Sequence, residues 1–315
     1  MKHLFILNPA AGKHQSALAL EPAIIAACEA AGCSYEILHT KAPGDATRFT
    51  EEAVAAGGPV RIYACGGDGT LLEVMTGLVP GGQAEFTHIP CGSGNDFVRM
   101  FGGNEPFLNL EEMVRADTYP VDGIECTWGE GKSRRSLNIA ATGMDATVAH
   151  HMARFKRWPL VSGPMAYNLA LVKVFFGKLG SSLKVEMDTA DGPVTVEGRY
   201  LFALCANGQY YGGGYNGAPL ARPDDGVLDF LLVEKMSRLR MLNLLPKYKA
   251  GTHLGKKGVH LWHGTAMTVH TDKPTPVSLD GECFLTDRFS VRILPGAYRM
   301  VFPPAVAPKR EAATV

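Results

Sequence analysis

The chain has 315 residues, 31 basic and 31 acidic side chains, no formal net charge, and 46% hydrophobic residues. Such a chain can bury a core large enough for two domains. It has no global pull toward nucleic acid or an anionic membrane, so no nucleic-acid partner is expected and any membrane contact has to be local.

MKHLFILNPAAG opens with an apolar run too short for a signal-peptide core, and no stretch offers the roughly 20 apolar residues of a membrane span. The seven cysteines include no CxxC pair and sit in apolar or glycine-rich surroundings, pointing to reduced, mostly buried thiols and a cytoplasmic setting. Lys2–Leu7 reads as a strand, broken by Asn8–Gly12 before the helical pattern of Ala17–Ala31. Gly12-Lys13 lacks the Ser or Thr and the earlier glycine of a P-loop. Tyr35–Thr40 supplies a second strand, and Gly44–Ala56 an amphipathic helix with Asp45 near its first turn. Arg61–Cys65 reads as a short buried strand, Gly66–Thr70 as a turn and Leu71–Gly77 as the opening of a helix. This βαβαβ order predicts a parallel sheet with right-handed crossovers.

Phe86–Pro90 is a further strand, followed by CGSGND with Ser93, Asn95, Asp96 and then Arg99. A short helix is expected at Leu110–Ala116, and an α/β domain over 1–122, completed by 295–308. From there the pattern turns β-rich, with strands at Gly123–Trp128, Arg135–Thr142, Leu183–Asp188, Pro193–Ala206, Val227–Val233, Leu261–Thr271 and Phe289–Leu294. Short strands spaced by Gly, Pro and Asp turns predict an antiparallel, sandwich-like domain over 123–294. The end of Pro303–Val315 is expected to be disordered. Phe155–Gly180 joins a basic and aromatic start (Lys156, Arg157, Trp158) to an apolar run. It can line an acyl-chain cleft, dip into a bilayer surface, or cap the sandwich as a core helix. The ten histidines include no zinc-ligand spacing.

The chemistry concentrates in glycine turns. Three glycines around Asp68 let the backbone approach a bulky anion while the first N–H groups of a helix point at it. One such cluster alone is as well explained by an ordinary βα turn. The second turn at 91–96 changes that, because both can lie at the carboxyl edge of one sheet, where open α/β folds bind ligands. Beside phosphate, the Asp68 carboxylate needs a divalent cation or a proton between them. Asp96 can join the same acidic shell or cap the next helix. Asp280 and Glu282 flank a glycine, so either can take a proton, although a solvated Asp-Gly turn is the commoner case. Asp224 to Asp229 holds three carboxylates in six residues, which suits a hard cation.

GGDGT followed by PCGSGNDF resembles the diacylglycerol kinase catalytic domain family, in particular the soluble bacterial lipid kinases, which share a superfamily with sphingosine kinases, NAD kinases and phosphofructokinases. The resemblance continues through LNIAATGMDATVA, ANGQYYGGGYNGAPLARPDDGVLDF and VSLDGE, in the family order from Asn8 to Glu282. It implies an ATP-dependent lipid kinase that moves the γ-phosphoryl group to a hydroxyl of a lipid such as diacylglycerol, with Mg2+. Asn8, Pro9, Ala10, Ala11 and Gly12, then Thr40, Gly66, Gly67, Asp68, Gly69, Thr70, Ser93, Asn95 and Asp96, would hold the nucleotide. Asp68, Asp280 and Glu282 would be catalytic, with Glu282 as the base and Asp280 its acidic neighbour. Asp225, with main-chain carbonyls aligned with Arg222 and Val227, would bind a structural magnesium. The partner implied is a lipid at a membrane surface, peripheral to the inner face, with a homodimer as the expected assembly. Leu72 departs from the family, which commonly has GGDGTxNE. The competing functions are an NAD kinase, which should lack the GSGNDF box and the closing DGE, and a non-catalytic nucleotide or lipid sensor, in whose favour Leu72 stands.

Overall fold

Lys2–Leu7 forms β1, and five of its six residues are buried, as expected of a strand covered on both faces. The computed structural model describes residues 1–12, 16–155, 158, 161, 163–177 and 179–308. Contacts divide the chain into two units, Met1–Val121 with Gly296–Val315, and Asp122–Pro295.

In the first unit, β1 is followed by α1 (Glu21–Ala31), β2 (Ser34–His39), α2 (Asp45–Ala55), β3 (Val60–Gly66), α3 (Asp68–Gly77), β4 (Glu85–Pro90) and the single turn of α4 (Leu110–Met113). β2 and β3 pair in parallel on either side of β1, and β4 pairs in parallel with β3. The end of the last strand adds to β4 in the same sense, Arg299 opposite Glu85 and Met300 opposite Phe86. The order β2-β1-β3-β4 reverses direction at β1, so β1 and β3 bound the switch point where such sheets bind ligands. The helix expected over Ala17–Ala31 begins as a single 3-10 turn, Leu18–Leu20, because Pro22 lacks the N–H a helix interior needs and is tolerated only in a first turn. Tyr63 stacks on Phe5 at 4.0 Å between ring centroids, and Phe101, Phe107 and Phe302 form a second aromatic cluster.

The second unit contains most of β5 (Thr118–Trp128), then β6 (Lys132–Ser136), β7 (Ile139–Gly143), α5 (Met144–Phe155), α6 (Gly163–Phe176), β8 (Ser181–Thr189), β9 (Gly192–Ala206), the short β10 (Tyr210–Tyr211) and β11 (Tyr215–Asn216), β12 (Leu228–Glu234), α7 (Arg238–Lys249), β13 (Val259–Leu279) and the start of β14 (Glu282–Val301). Its long strands are shared: β9 pairs with β7, β8 and β12, and β13 pairs with the same three, all antiparallel. That double sharing makes the sandwich-like β domain. The strand expected over Arg135–Thr142 is two strands, because the Asn138 carbonyl accepts from Asn207 and Gly208 N–H while its amide donates to the Tyr210 carbonyl at 2.6 Å. All seven cysteines are free. Among the described residues no helix is long and apolar enough to cross a membrane. Lys13, Lys156, Arg157 and the end of the tail, where the disorder was expected, lie outside the described residues.

Candidate active site

Three loops at the carboxyl ends of β1, β3 and β4 are bound to one another. The Asn8 side chain donates to the Thr70 hydroxyl at 3.0 Å, and its carbonyl accepts from Ala10 N–H at 3.0 Å, which joins the first loop to α3 and folds it back on itself. Ser16 Oγ donates to the Ala11 and Cys91 carbonyls, linking the first loop to the third. Cys91 N–H donates to the Gly66 carbonyl at 2.8 Å. Below it, the buried His88 holds the same carbonyl through Nε2 at 3.0 Å, so Nε2 carries the proton and the ring is neutral. Burial lowers the His88 pKa to about 4.

The glycines follow from this close approach. A Cβ on Gly92 would stand 2.4 Å from the Gly67 Cα, and one on Gly94 would stand 2.3 Å from Asp68 Oδ2. Asp68 uses both carboxylate oxygens to hold the third loop, accepting from Asn95 N–H at 2.8 Å and Asp96 N–H at 2.7 Å. Burial raises its carboxyl above the usual range, against the lowering pull of those N–H groups. Asn95 sits at φ 53° and closes the loop by bonding both ways with Gly92. Asp96 does not cap the helix that follows; its carboxylate pairs with Arg99 at 3.2 Å, and Arg99 also donates to the Gly94 carbonyl. Ser93 and Gly69 are exposed, Pro9 and Ala11 are half-buried, and Thr40 N–H is fixed to the Leu7 carbonyl at 2.9 Å. Leu72 is 1% exposed, so it packs in the core where an amide would find no water.

In the second unit, Asp280 sits at φ 45° in the turn between β13 and β14. Its carboxylate accepts from Ile139 N–H at 2.7 Å and from the Ser136 hydroxyl. Glu282 is paired with Arg134. Neither Arg134 nor Ser136 was among the sequence-derived site residues, since no spacing rule links a hairpin at 132–136 to a turn 144 residues later. Next to this turn is an apolar cavity of about 180 Å³, lined by Met144, Val148, Leu171, Phe202 and Leu244 and reaching Ser278 and Gly281. Its polar side is Asp145, whose Oδ2 accepts from the Tyr211 hydroxyl at 2.8 Å, with the Tyr248 hydroxyl 2.8 Å beyond. Burial pushes the Asp145 carboxyl up to about 6, against the lowering pull of the Tyr211 hydroxyl and the Ala146 N–H.

Asp225 lies elsewhere in this unit, accepting from Val227 N–H at 3.0 Å. Loss of hydration, then the neighbouring Asp122 and Asp224, raises its carboxyl. Among the described residues no three His, Cys, Asp or Glu side chains are grouped to hold a metal on their own.

Residues 2–126 match the diacylglycerol kinase catalytic domain, and residues 138–302 match the YegS C-terminal NAD kinase beta sandwich-like domain. A Pseudomonas aeruginosa protein named "Probable lipid kinase YegS-like" is 32% identical over 293 residues, 89% of each chain. The chain belongs to the diacylglycerol kinase catalytic domain family. The "Diacylglycerol kinase" of Mycobacterium tuberculosis is 28% identical over 265 residues, covering 82% of this chain and 83% of that protein. A solved diacylglycerol kinase from Bacillus anthracis str. Sterne shares the fold, with a TM-score of 0.67 at 22% identity over 97% of this chain and 98% of that one. As a member of this lipid kinase family, the chain is a nucleotide-using phosphotransferase with an alcohol acceptor.

Proposed function

We propose that this enzyme transfers the γ-phosphoryl group of ATP to a hydroxyl of a membrane lipid such as diacylglycerol, working at the cytoplasmic face of the membrane. The observation that carries the reading is the apolar cavity whose lining reaches Ser278 and Gly281, on either side of Asp280 and next to Glu282. An acyl chain matches such a lining, whereas the charged pyrophosphate and the two ribose rings of NAD do not. Asp145 and Tyr211 give the cavity a polar end at which a glycerol hydroxyl can be hydrogen-bonded.

Glu282 takes the proton of the lipid hydroxyl as that oxygen attacks the γ-phosphorus and the bond to the bridging oxygen of ADP breaks. Arg134 holds Glu282 in place, and Ser136 with Ile139 N–H fixes Asp280. Backbone N–H groups of the loops at Asn8–Gly12 and Gly66–Thr70 take the phosphates. Asp68 and Asp96 would hold Mg2+, which supplies charge neutralisation on the phosphates. The donor set fits, because magnesium uses one or two carboxylates and leaves the remaining positions to phosphate and water, and each Asp68 oxygen keeps a lone pair beyond its N–H bond. Asp225, with the carbonyls of Arg222 and Val227, would hold a second, structural ion, relieving the repulsion from Asp122 and Asp224.

Transfer of radiolabelled phosphate from ATP to a lipid panel in mixed micelles, with NAD as a control acceptor, tests this. Label is expected in the lipid phase. Label on NAD alone would make the protein an NAD kinase, and nucleotide binding without transfer to any acceptor would make it a sensor.

A further inference from the structure

Charge is unevenly placed on this neutral chain. Segments 151–180 and 235–258 together hold twelve lysines and arginines and no aspartate or glutamate. The same segments carry most of the large hydrophobic side chains that are exposed among the described residues. Of twelve large hydrophobic side chains exposed among the described residues, seven lie here, including Phe176 at 74% and Leu239 at 80%.

Helix α6 shows why. Ala166, Ala170 and Val174 pack against Val148 and Phe155 of α5, so one face is already partnered. The other presents Met165, Leu169, Val172 and Phe176 to solvent, spaced four, three and four residues apart along one stripe. A helix apolar on both faces is unfavourable in water unless a second apolar phase covers it. At 14 residues it is too short to span a bilayer, which leaves an orientation in the plane of its surface.

The charge lies beside the stripe. Arg238, first residue of α7, donates from Nε to the Phe175 carbonyl and from Nη2 to the Gly177 carbonyl, both at 2.9 Å, and so fixes the start of α7 against the end of α6. An open cup of about 650 Å³ at this junction is lined by Arg199, Lys235, Arg238 and Arg240, and no carboxylate lines it. The positive end of α7 adds to the same field.

We propose that the exposed face of α6, the first turns of α7 and this basic cup dock the protein on an anionic phospholipid bilayer, with the cup receiving a lipid phosphate. Charge complementarity selects the occupant: a purely apolar partner would leave the basic side chains without counter-charge, and a soluble acidic partner would leave the stripe of α6 in water. The proposal adds to the lipid kinase reading which face meets the membrane, and vesicle binding tests it without any phosphoryl transfer.

The experiment is flotation of the full chain with phosphatidylcholine vesicles, with and without phosphatidylglycerol, at low and high salt. Wild type should bind the phosphatidylglycerol vesicles preferentially and lose that preference in salt. Arg199→Ala/Lys235→Ala should weaken binding about 25-fold, at about 5-fold for each basic side chain near an anionic surface. Val172→Ser/Phe176→Ser should weaken it independently of salt. Unchanged circular dichroism and phosphorylation of detergent-dispersed lipid by both variants would show that only docking is lost. Equal binding to neutral vesicles, or wild-type binding by both double variants, overturns the proposal. So does a concentration-dependent dimer that Val172→Ser/Phe176→Ser dissolves, which would make the face a contact between two copies. If the variants lose vesicle binding while wild type phosphorylates no lipid, docking stands and the lipid kinase reading falls.

Discussion

Asp68→Asn separates two roles of one carboxylate. Its oxygens accept the N–H groups of Asn95 and Asp96 at 2.8 and 2.7 Å. Asparagine keeps one acceptor and turns an NH2 toward the other backbone N–H, so one charge-assisted bond is lost and a buried donor is left unpaired, a cost of about 3 kcal/mol. Against a total stability on the order of 5–15 kcal/mol, the variant should fold, melt several degrees lower, and loosen the loop that contains Gly92 and Gly94. Thermal unfolding measures the first effect, and calorimetric titration of nucleotide with and without Mg2+ measures the second. If the carboxylate acts only through the ion, its loss weakens nucleotide binding only when Mg2+ is present. If it also shapes the loop, its loss weakens binding in both conditions, which is the expected result. Gly94→Ala probes the same contact from the other side, since its methyl group would meet Asp68 Oδ2 at 2.3 Å. If Asp68→Asn melts with wild type and Gly94→Ala binds nucleotide normally, the bridge between the loops contributes nothing and the reasoning fails.

Glu282→Gln should lower phosphoryl transfer by about 100-fold to 10,000-fold with nucleotide binding nearly unchanged. Asp280→Asn is the control, and a larger loss there than in Glu282→Gln, with both variants folded, would exchange their roles. His88 is neutral in the folded protein down to about pH 4, whereas an unfolded histidine takes its proton near 6.5. Its contribution is therefore present above pH 6.5 and lost as pH falls toward 4, about 2 kcal/mol by pH 5. Urea denaturation of wild type and His88→Gln should show a steeper pH slope in wild type between 6.5 and 4, and parallel slopes would remove His88 from the account. Asp225→Ala should abolish a magnesium-dependent rise in melting temperature; a wild type whose melting point ignores magnesium rules out the structural ion.

Much of the α/β order was legible because strand and helix there alternate around glycine turns, and β1 lies at Lys2–Leu7 as read. The partners of the loop residues were not legible. Asn95 reads as a ligand from its place in GSGND, yet its side chain closes the loop on Gly92, and only coordinates show that. The helices at Met144–Phe155 and Arg238–Lys249 escaped notice for different reasons. The first follows directly on a strand at Gly143, with no loop between them. The second buries Met241, Leu244 and Tyr248 on one face, but exposed Leu239 and Leu242 and the internal Pro246 blur that period. Tyr211 meets Asp145, 66 residues away, and Tyr248, 37 residues away, through contacts that no local pattern encodes.

The path of β14 bears on how the protein is made. Its last residues pair with β4, and Phe302 just beyond it belongs to the aromatic cluster with Phe101 and Phe107. When residues 1–121 leave the ribosome, the edge of β4 and that cluster therefore lack partners. They stay so until all of Asp122–Pro295 has been synthesised, a delay of roughly 10–30 s at ordinary elongation rates. During that interval an apolar sheet edge is open to pairing with another nascent chain. Chaperone demand should accordingly rise when translation pauses between those positions, and fall when residues 296–302 are supplied in trans as a peptide.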